Sequence, residues 1–418
     1  MKKFTKLSLV AAVAVAGLTS ASAKPLEEAI KNVDVSGTVT YRYDNFGDDN
    51  GKGQLNQDNK YKINLNLSSK VNDYVTFNSR FNVVSPGLES NNDFAGMGKN
   101  DPDLKPEVGL AHAYFGFTGI ANTTVNVGKQ GLATPWTVAT DNDGGEQTGT
   151  GIFSVTAVDN FVVGLAYFNQ TNINTTVGID MKGYDASNNE VAHIESELSG
   201  ADDIYAATLQ ANYGFVNAEA WYLKANDQFD TYTLAVHGKV KLAENANIGY
   251  EVRYVSLSLD SKLKNEIGSF FDSTPAERIS RNGVGDDNSL LRFAVNGKFG
   301  IVNARVAYSI TDKDGGLTAL DTDAQNASLG WRLNTLGKAD AKFLQTTVGA
   351  DVLDNLNLSL NYNTLEYDNG TKVDQDELFA QLTYKMSKNL DGYIRYGQQD
   401  FDNGNEQNSG RLQVNYKF

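Results

Sequence analysis

Along this 418-residue sequence, apolar and polar side chains alternate at every second position in segment after segment. Between Asp34 and Asp44, Val35, Val39, Tyr41 and Tyr43 share one face, while Asp34, Ser36, Thr38, Thr40 and Arg42 share the other. Tyr61, Ile63, Leu65 and Leu67 then alternate with Lys60, Lys62, Asn64, Asn66 and Ser68. A period of two belongs to strands with one apolar and one wet face, and a helix cannot produce it. Segments of this kind run over 34–44, 60–68, 74–84, 109–119, 122–131, 152–158, 161–169, 204–213, 216–224, 229–242, 247–258, 290–299, 302–311, 342–352, 356–367, 377–387, 392–401 and 410–418. The pattern predicts an all-β chain of about eighteen strands.

The connections sort by length. Short ones at 71–73, 119–121, 159–160, 214–215, 243–245 and 354–355 alternate with long polar ones at 85–108, 170–203, 259–289 and 312–341. Tight turns at one end and long loops at the other are the signature of a transmembrane antiparallel β-barrel with periplasmic turns and extracellular loops, and a soluble sandwich has no reason to sort its loops. All six prolines, Pro25, Pro86, Pro102, Pro106, Pro135 and Pro275, fall outside the segments, as they must where each backbone N–H needs a partner. The sheet has to close, because an open edge in hydrocarbon leaves unpaired groups costing several kcal/mol each. No linker interrupts residues 24–418, so one barrel domain is expected there.

The first 23 residues read as a signal peptide: Lys2, Lys3 and Lys6, an apolar run from Leu7 to Leu18, then Ala21-Ser22-Ala23. That run is shorter than the roughly 20 residues a membrane helix needs. Removing this leader takes three of the 36 basic residues, leaving 33 against 51 acids and a net charge of −18. Such a balance argues against nucleic acid as a partner, since phosphate contacts require clustered lysine and arginine. There is no cysteine, so an exported chain of this kind forgoes disulfides.

The polar phase is rich in bases: Arg42, Lys62, Arg80, Arg253, Arg292, Arg305, Arg395 and Arg411 all fall on it, which implies a hydrated lumen. One long connection, Gly131 to Gly151, carries a proline, a tryptophan, three acids and repeated glycines. Folded back inside the barrel, residues 132–150 form a constriction in which Asp141, Asp143 and Glu146 face the basic wall, with Arg42, Lys62 and Arg80 nearest in sequence. Rings of charge at such a point set ion preference, and the net charge favours cations. The three histidines, His112, His193 and His237, come with no nucleophile motif, so the chain is not read as an enzyme. Asp141-Asn142-Asp143-Gly144 resembles the start of a calcium loop, but its twelfth position is Ile152 instead of glutamate, so it is not an EF-hand.

Several islands resemble the major outer membrane porins of Campylobacter and its epsilonproteobacterial relatives. They are Pro25-Leu26-Glu27-Glu28-Ala29-Ile30-Lys31-Asn32-Val33-Asp34-Val35-Ser36-Gly37, Tyr41-Arg42-Tyr43-Asp44, Gly128-Lys129-Gln130, Trp136-Thr137, Asp143-Gly144, Gly149-Thr150-Gly151, Arg332-Leu333-Asn334 and the closing Tyr416-Lys417-Phe418. The resemblance implies an eighteen-stranded homotrimeric porin of the outer membrane, in contact with lipid and lipopolysaccharide, with its third extracellular loop in the lumen. It also implies general diffusion of small hydrophilic solutes with cation preference, no required cofactor, and in some relatives a calcium near the constriction, for which Asp143 is the matching position. A substrate-specific channel or a surface adhesin that meets a host through its loops would share these features.

Overall fold

β-Branched and aromatic residues at every second position fit a pleated surface, and the chain uses them to build one wall. The computed structural model describes residues 33–48, 56–84, 94–97, 106–140, 145–173, 178–184, 190–265, 278–281, 284–313, 315–368, 371–401 and 405–418. The expected leader lies outside them. In chain order the strands are β1 (Val33–Asp48), β2 (Asn56–Lys70), β3 (Val75–Val84), β4 (Ala95–Gly96), β5 (Glu107–Phe117), β6 (Thr123–Gly131), β7 (Thr148–Val158), β8 (Phe161–Thr171), β9 (Gly178–Tyr184), β10 (Glu190–Glu197) and β11 (Ile204–Tyr213). There follow β12 (Val216–Ala225), β13 (Phe229–Ala243), β14 (Ala246–Leu259), β15 (Arg278–Arg281), β16 (Asp287–Phe299), β17 (Val302–Thr311), β18 (Ala339–Leu353), β19 (Leu356–Asp368), β20 (Lys372–Lys385), β21 (Leu390–Phe401) and β22 (Asn405–Lys417).

Eighteen of these pair antiparallel with their sequence neighbours around a closed ring, β4 adds a short extra strand on β2, and β9, β10 and β15 form a separate three-stranded sheet. Closure is made where β1 meets β22, in a register running from Thr38↔Lys417 to Asp48↔Gln407. The C-terminal residue completes the seam: Phe418 and Gly37 exchange both backbone hydrogen bonds, at 3.0 and 3.1 Å. A Cβ at Gly37 would run into the Asn64 carbonyl and stand 2.6 Å from the Phe418 ring. Each predicted strand segment coincides with one barrel strand.

The two phases separate as the alternation requires. On β14, Val252 and Tyr254 are exposed on the outer surface, while Arg253, Val255, Leu257 and Leu259 are buried inward. The inner face therefore changes character along a single strand, from charged at Arg253 to apolar above it. Ile204, Leu223, Phe229 and Leu290 repeat this on β11, β12, β13 and β16, and with Leu132, Trp136, Phe168, Leu317 and Leu320 they form a hydrophobic core inside the barrel. Apolar residues inside a barrel wall need an internal partner, and two loops provide it. One is the expected constriction segment. The other is the connection between β17 and β18, which the length pattern places among the extracellular loops; the structure corrects this, because residues 315–338 turn into the lumen and pack on the wall.

Candidate pore constriction

The β6–β7 connection leaves the wall at Gly131, where a Cβ would lie 2.8 Å from Ala139 Cβ and 3.2 Å from His112 Nε2, so only glycine lets the chain double back here. The turn is held by its own polar groups. Thr137 Oγ1 donates to Leu132 O at 2.7 Å and shares a hydrogen bond with Thr134 Oγ1 at 2.8 Å. Gln147 closes the base: Leu132 N donates to its carbonyl at 2.8 Å and Val138 N to its Oε1 at 2.8 Å. Trp136, fully buried, meets Trp221 of β12 edge to face with centroids 6.4 Å apart.

Glu146 ties this loop to the wall. Arg80 Nη2 donates to its Oε1 at 2.6 Å, Lys62 Nζ lies 3.6 Å from the same oxygen, and His112 Nε2 is 3.9 Å from Oε2. Arg80 also reaches Thr140 Oγ1 at 3.3 Å, bracketing the loop from β3. His112 is aimed inward by a bulge: the β3–β5 register runs Arg80↔His112 and then Phe81↔Leu110, so Ala111 is an extra residue that re-points its neighbour. With 1 % of its surface exposed, Glu146 is a clamp under the loop, one carboxylate held by two cations, and does not face a base across open water.

The second loop is joined to the first. Leu320 N donates to Trp136 O at 2.8 Å, Asn326 N to Pro135 O at 2.9 Å, and Gln147 Nε2 to Leu320 O at 2.6 Å. On one flank it sits on two arginines. Arg253 pairs with Glu219 at 2.6 Å and reaches Asn326 Oδ1 at 3.3 Å, and Arg292 pairs with Glu251 at 2.7 Å and donates to Ala327 O and Gln325 O, both at 2.7 Å. On the other flank the buried Glu377 of β20 accepts the backbone N–H groups of Trp331 at 2.7 Å and Arg332 at 2.8 Å, with Asn363 Nδ2 on the same carboxylate at 2.7 Å. Trp331 packs on Phe379 and Phe46, and the Arg395 guanidinium lies 5.1 Å from its ring centroid. The loop thus crosses from β14 and β16 to β20, β21 and β1.

The structure brings Glu146, Lys62 and Arg80 together, and puts Arg253 and Arg292 in a separate group under the second loop. Arg42 belongs to neither group: it donates to Gln413 Oε1 at 2.8 Å and stacks on Phe94 at 4.3 Å. Four of the basic residues expected at the constriction, Arg42, Lys62, Arg253 and Arg292, are 2–8 % exposed, because loop segments cover them. Arg80, Arg305 and Arg395 keep part of their surface open, as does Arg411, which is paired with Asp44. Asp141 and Asp143 lie outside the described residues. Among the described residues no group of three or more His, Cys, Asp or Glu could hold a metal ion, and that search does not reach Asp143. The acids that sequence reading passed over, Asp44, Glu219, Glu251 and Glu377, all stand on inward positions; Glu251 is two residues from Arg253, on the same face, and that spacing was the available signal.

A family model described as Campylobacter major outer membrane protein matches residues 1–418. No curated protein matches the chain. Among solved structures, the chain is similar to OccAB3 of Acinetobacter baumannii, with TM-score 0.67, 14% identity, and 93% of this chain and 99% of that one covered. OpdL of Pseudomonas aeruginosa gives TM-score 0.66 at 15% identity over 93% and 99% of the two chains. OpdK of the same species, solved with vanillate, gives 0.68 at 11% over 93% and 99%. At these identities the likeness establishes the barrel fold.

Proposed function

The chain belongs to the Campylobacter major outer membrane protein family, and from that premise we propose how this porin-like channel of the bacterial outer membrane filters what it passes. It works as a general porin, not as an enzyme. Ions and small hydrophilic solutes diffuse passively through the opening that the two inward loops leave in the lumen. The observation that carries this reading is the clasp of Trp136 and Pro135 on Leu320 and Asn326, which makes one partition of two loops. Beside that partition, Arg80, Arg395, Arg411 and the exposed Arg332 remain accessible to solutes.

Cation preference is the finer part of the proposal. Acids stand against most of the deep bases, with Glu146 shared by Arg80 and Lys62, Glu219 on Arg253, Glu251 on Arg292 and Asp44 on Arg411. The excess of 51 acids over 33 bases in the chain after its leader is then left to set the field, with Asp141 and Asp143 on the constriction segment. A homotrimer, and a calcium at Asp143, follow from family likeness and complete the reading. A reversal potential under a KCl gradient tests the ion preference, and repeating it after chelation tests the calcium; anion preference in both would sink the charge argument.

A further inference from the structure

Resting on the porin reading, we propose that His112 is an acid lock on the constriction segment: a proton on its Nε2 fastens the returning end of the loop to β5 and steadies the pore. The ring stands beside both ends of the loop. A Cβ on Gly131, where the chain leaves the wall, would be 3.2 Å from His112 Nε2, and the Glu146 carboxylate, where the chain returns, is 3.9 Å from the same nitrogen.

Both atoms of that second approach are open. Among the described residues Glu146 Oε2 and His112 Nε2 are buried without a hydrogen-bond partner, while Arg80 and Lys62 both stand at the other oxygen, Oε1. A neutral imidazole with its proton on Nδ1 turns the Nε2 lone pair to the carboxylate, so that two acceptors face each other. Their 3.9 Å separation, too long for a hydrogen bond, suits such a pair. A proton on Nε2 makes it a donor, and the gap closes into a charge-assisted hydrogen bond roughly twice as strong as a neutral one.

Charges on four elements act on the ring. Glu146 of the loop attracts a positive imidazole, and Arg80 of β3, Lys129 of β6 and Lys62 of β2 repel it. Tyr114, on β5 itself, places its ring centroid 6.4 Å away. Attraction prevails because Glu146 Oε2 faces the ring uncommitted, whereas Arg80 and Lys62 are held at Oε1 and Lys129 donates to Leu110 O at 2.9 Å. The His112 side chain keeps 13 % of its surface exposed, so a proton reaches it with the loop in place.

The test takes the purified full-length protein from pH 7.5 to pH 4. Current fluctuations in planar bilayers in KCl report loop motion in the open pore. Amide hydrogen exchange of the constriction segment, corrected for the intrinsic effect of pH, reports it without any current. The parent is expected to become quieter in acid, with the loop at least about tenfold more protected. His112→Gln, which cannot take the proton, is expected to show neither change, at a barrel content by circular dichroism equal to the parent's. Equal or faster exchange in acid for the parent overturns the proposal, and that reading needs no variant. A His112→Gln protein that responds to acid as the parent does overturns it too, because the effect then belongs to a carboxylate. Protection that rises in acid through His112, in a protein silent in KCl, would overturn the porin reading alone.

Discussion

Arg80 of β3 donates to Glu146 of the β6–β7 loop at 2.6 Å, across 66 residues of sequence, and the carboxylate it reaches is 1 % exposed. This pair fastens the loop to β3. Removing one partner of a buried pair leaves the other charge without compensation, at a cost of about 3–5 kcal/mol, more than an exposed pair would contribute. Glu146→Gln is expected to lower the midpoint of thermal unfolding and to expose the loop to protease while the barrel persists. Equal midpoints and equal protease resistance would show that the clamp is not holding the loop.

The far end of the second loop depends on Glu377 and Gly330. A Cβ at residue 330 would collide with the Glu377 carboxylate, which accepts two backbone N–H groups there. Gly330→Ala is expected to free the turn at Trp331 and Arg332, giving trypsin access to Arg332 in folded protein. Glu377→Ala leaves buried donors unpaired at about 1–3 kcal/mol each and should do the same.

The internal core supplies its own test. Leu320 and Trp136 are fully buried between loops and wall, and truncating such residues typically costs about 2–5 kcal/mol. Leu320→Ala is expected to destabilise the partition, read as a lower unfolding midpoint and as larger current noise. An equal cost at an outward residue such as Leu360, 55% exposed on the outer surface, would contradict the assignment of the core to the inside.

Lys338, at the end of the second loop beside the Tyr367 ring, has its ammonium pushed down to about 8 by burial. An unfolded lysine titrates near about 10.4. Between these values the unfolded chain holds more protons than the folded one, so stability rises with pH across roughly 8 to 10.4 and is lower by a constant amount below it. The unfolding midpoint is therefore expected to climb from pH 7.5 to pH 10, and Lys338→Met to remove that component of the climb. A variant with the same slope as the parent would show that another group titrates.

The barrel was legible because its rule is local. Period two, proline placement and loop sorting each act within a few residues, so every strand segment could be read without knowing its neighbours. The clamp at Glu146 was half legible: Lys62 and Arg80 lie on the right phase, but burial of the pair depends on the Ala111 bulge and on Gly131, which no alternation reveals. The second inward loop was the least legible. Residues 315–338 are held by Arg253, Arg292 and Glu377, which lie 45 to 73 positions away in the contacts that matter, except for the nearer Arg292 at 33 to 36. A trace of it stood in the inward positions Val255, Leu257 and Leu259, which are apolar where a hydrated lumen asks for polarity.

Single-channel conductance and reversal potential in a KCl gradient, compared between the parent protein and Glu146→Gln, test the central claim most directly. A filter set by a clamped loop partition gives a small, steady, cation-preferring conductance in the parent, and a larger, noisier one with altered preference once the clamp is lost. Identical conductance and reversal potential in the two proteins, or a parent protein that carries no current, would contradict it.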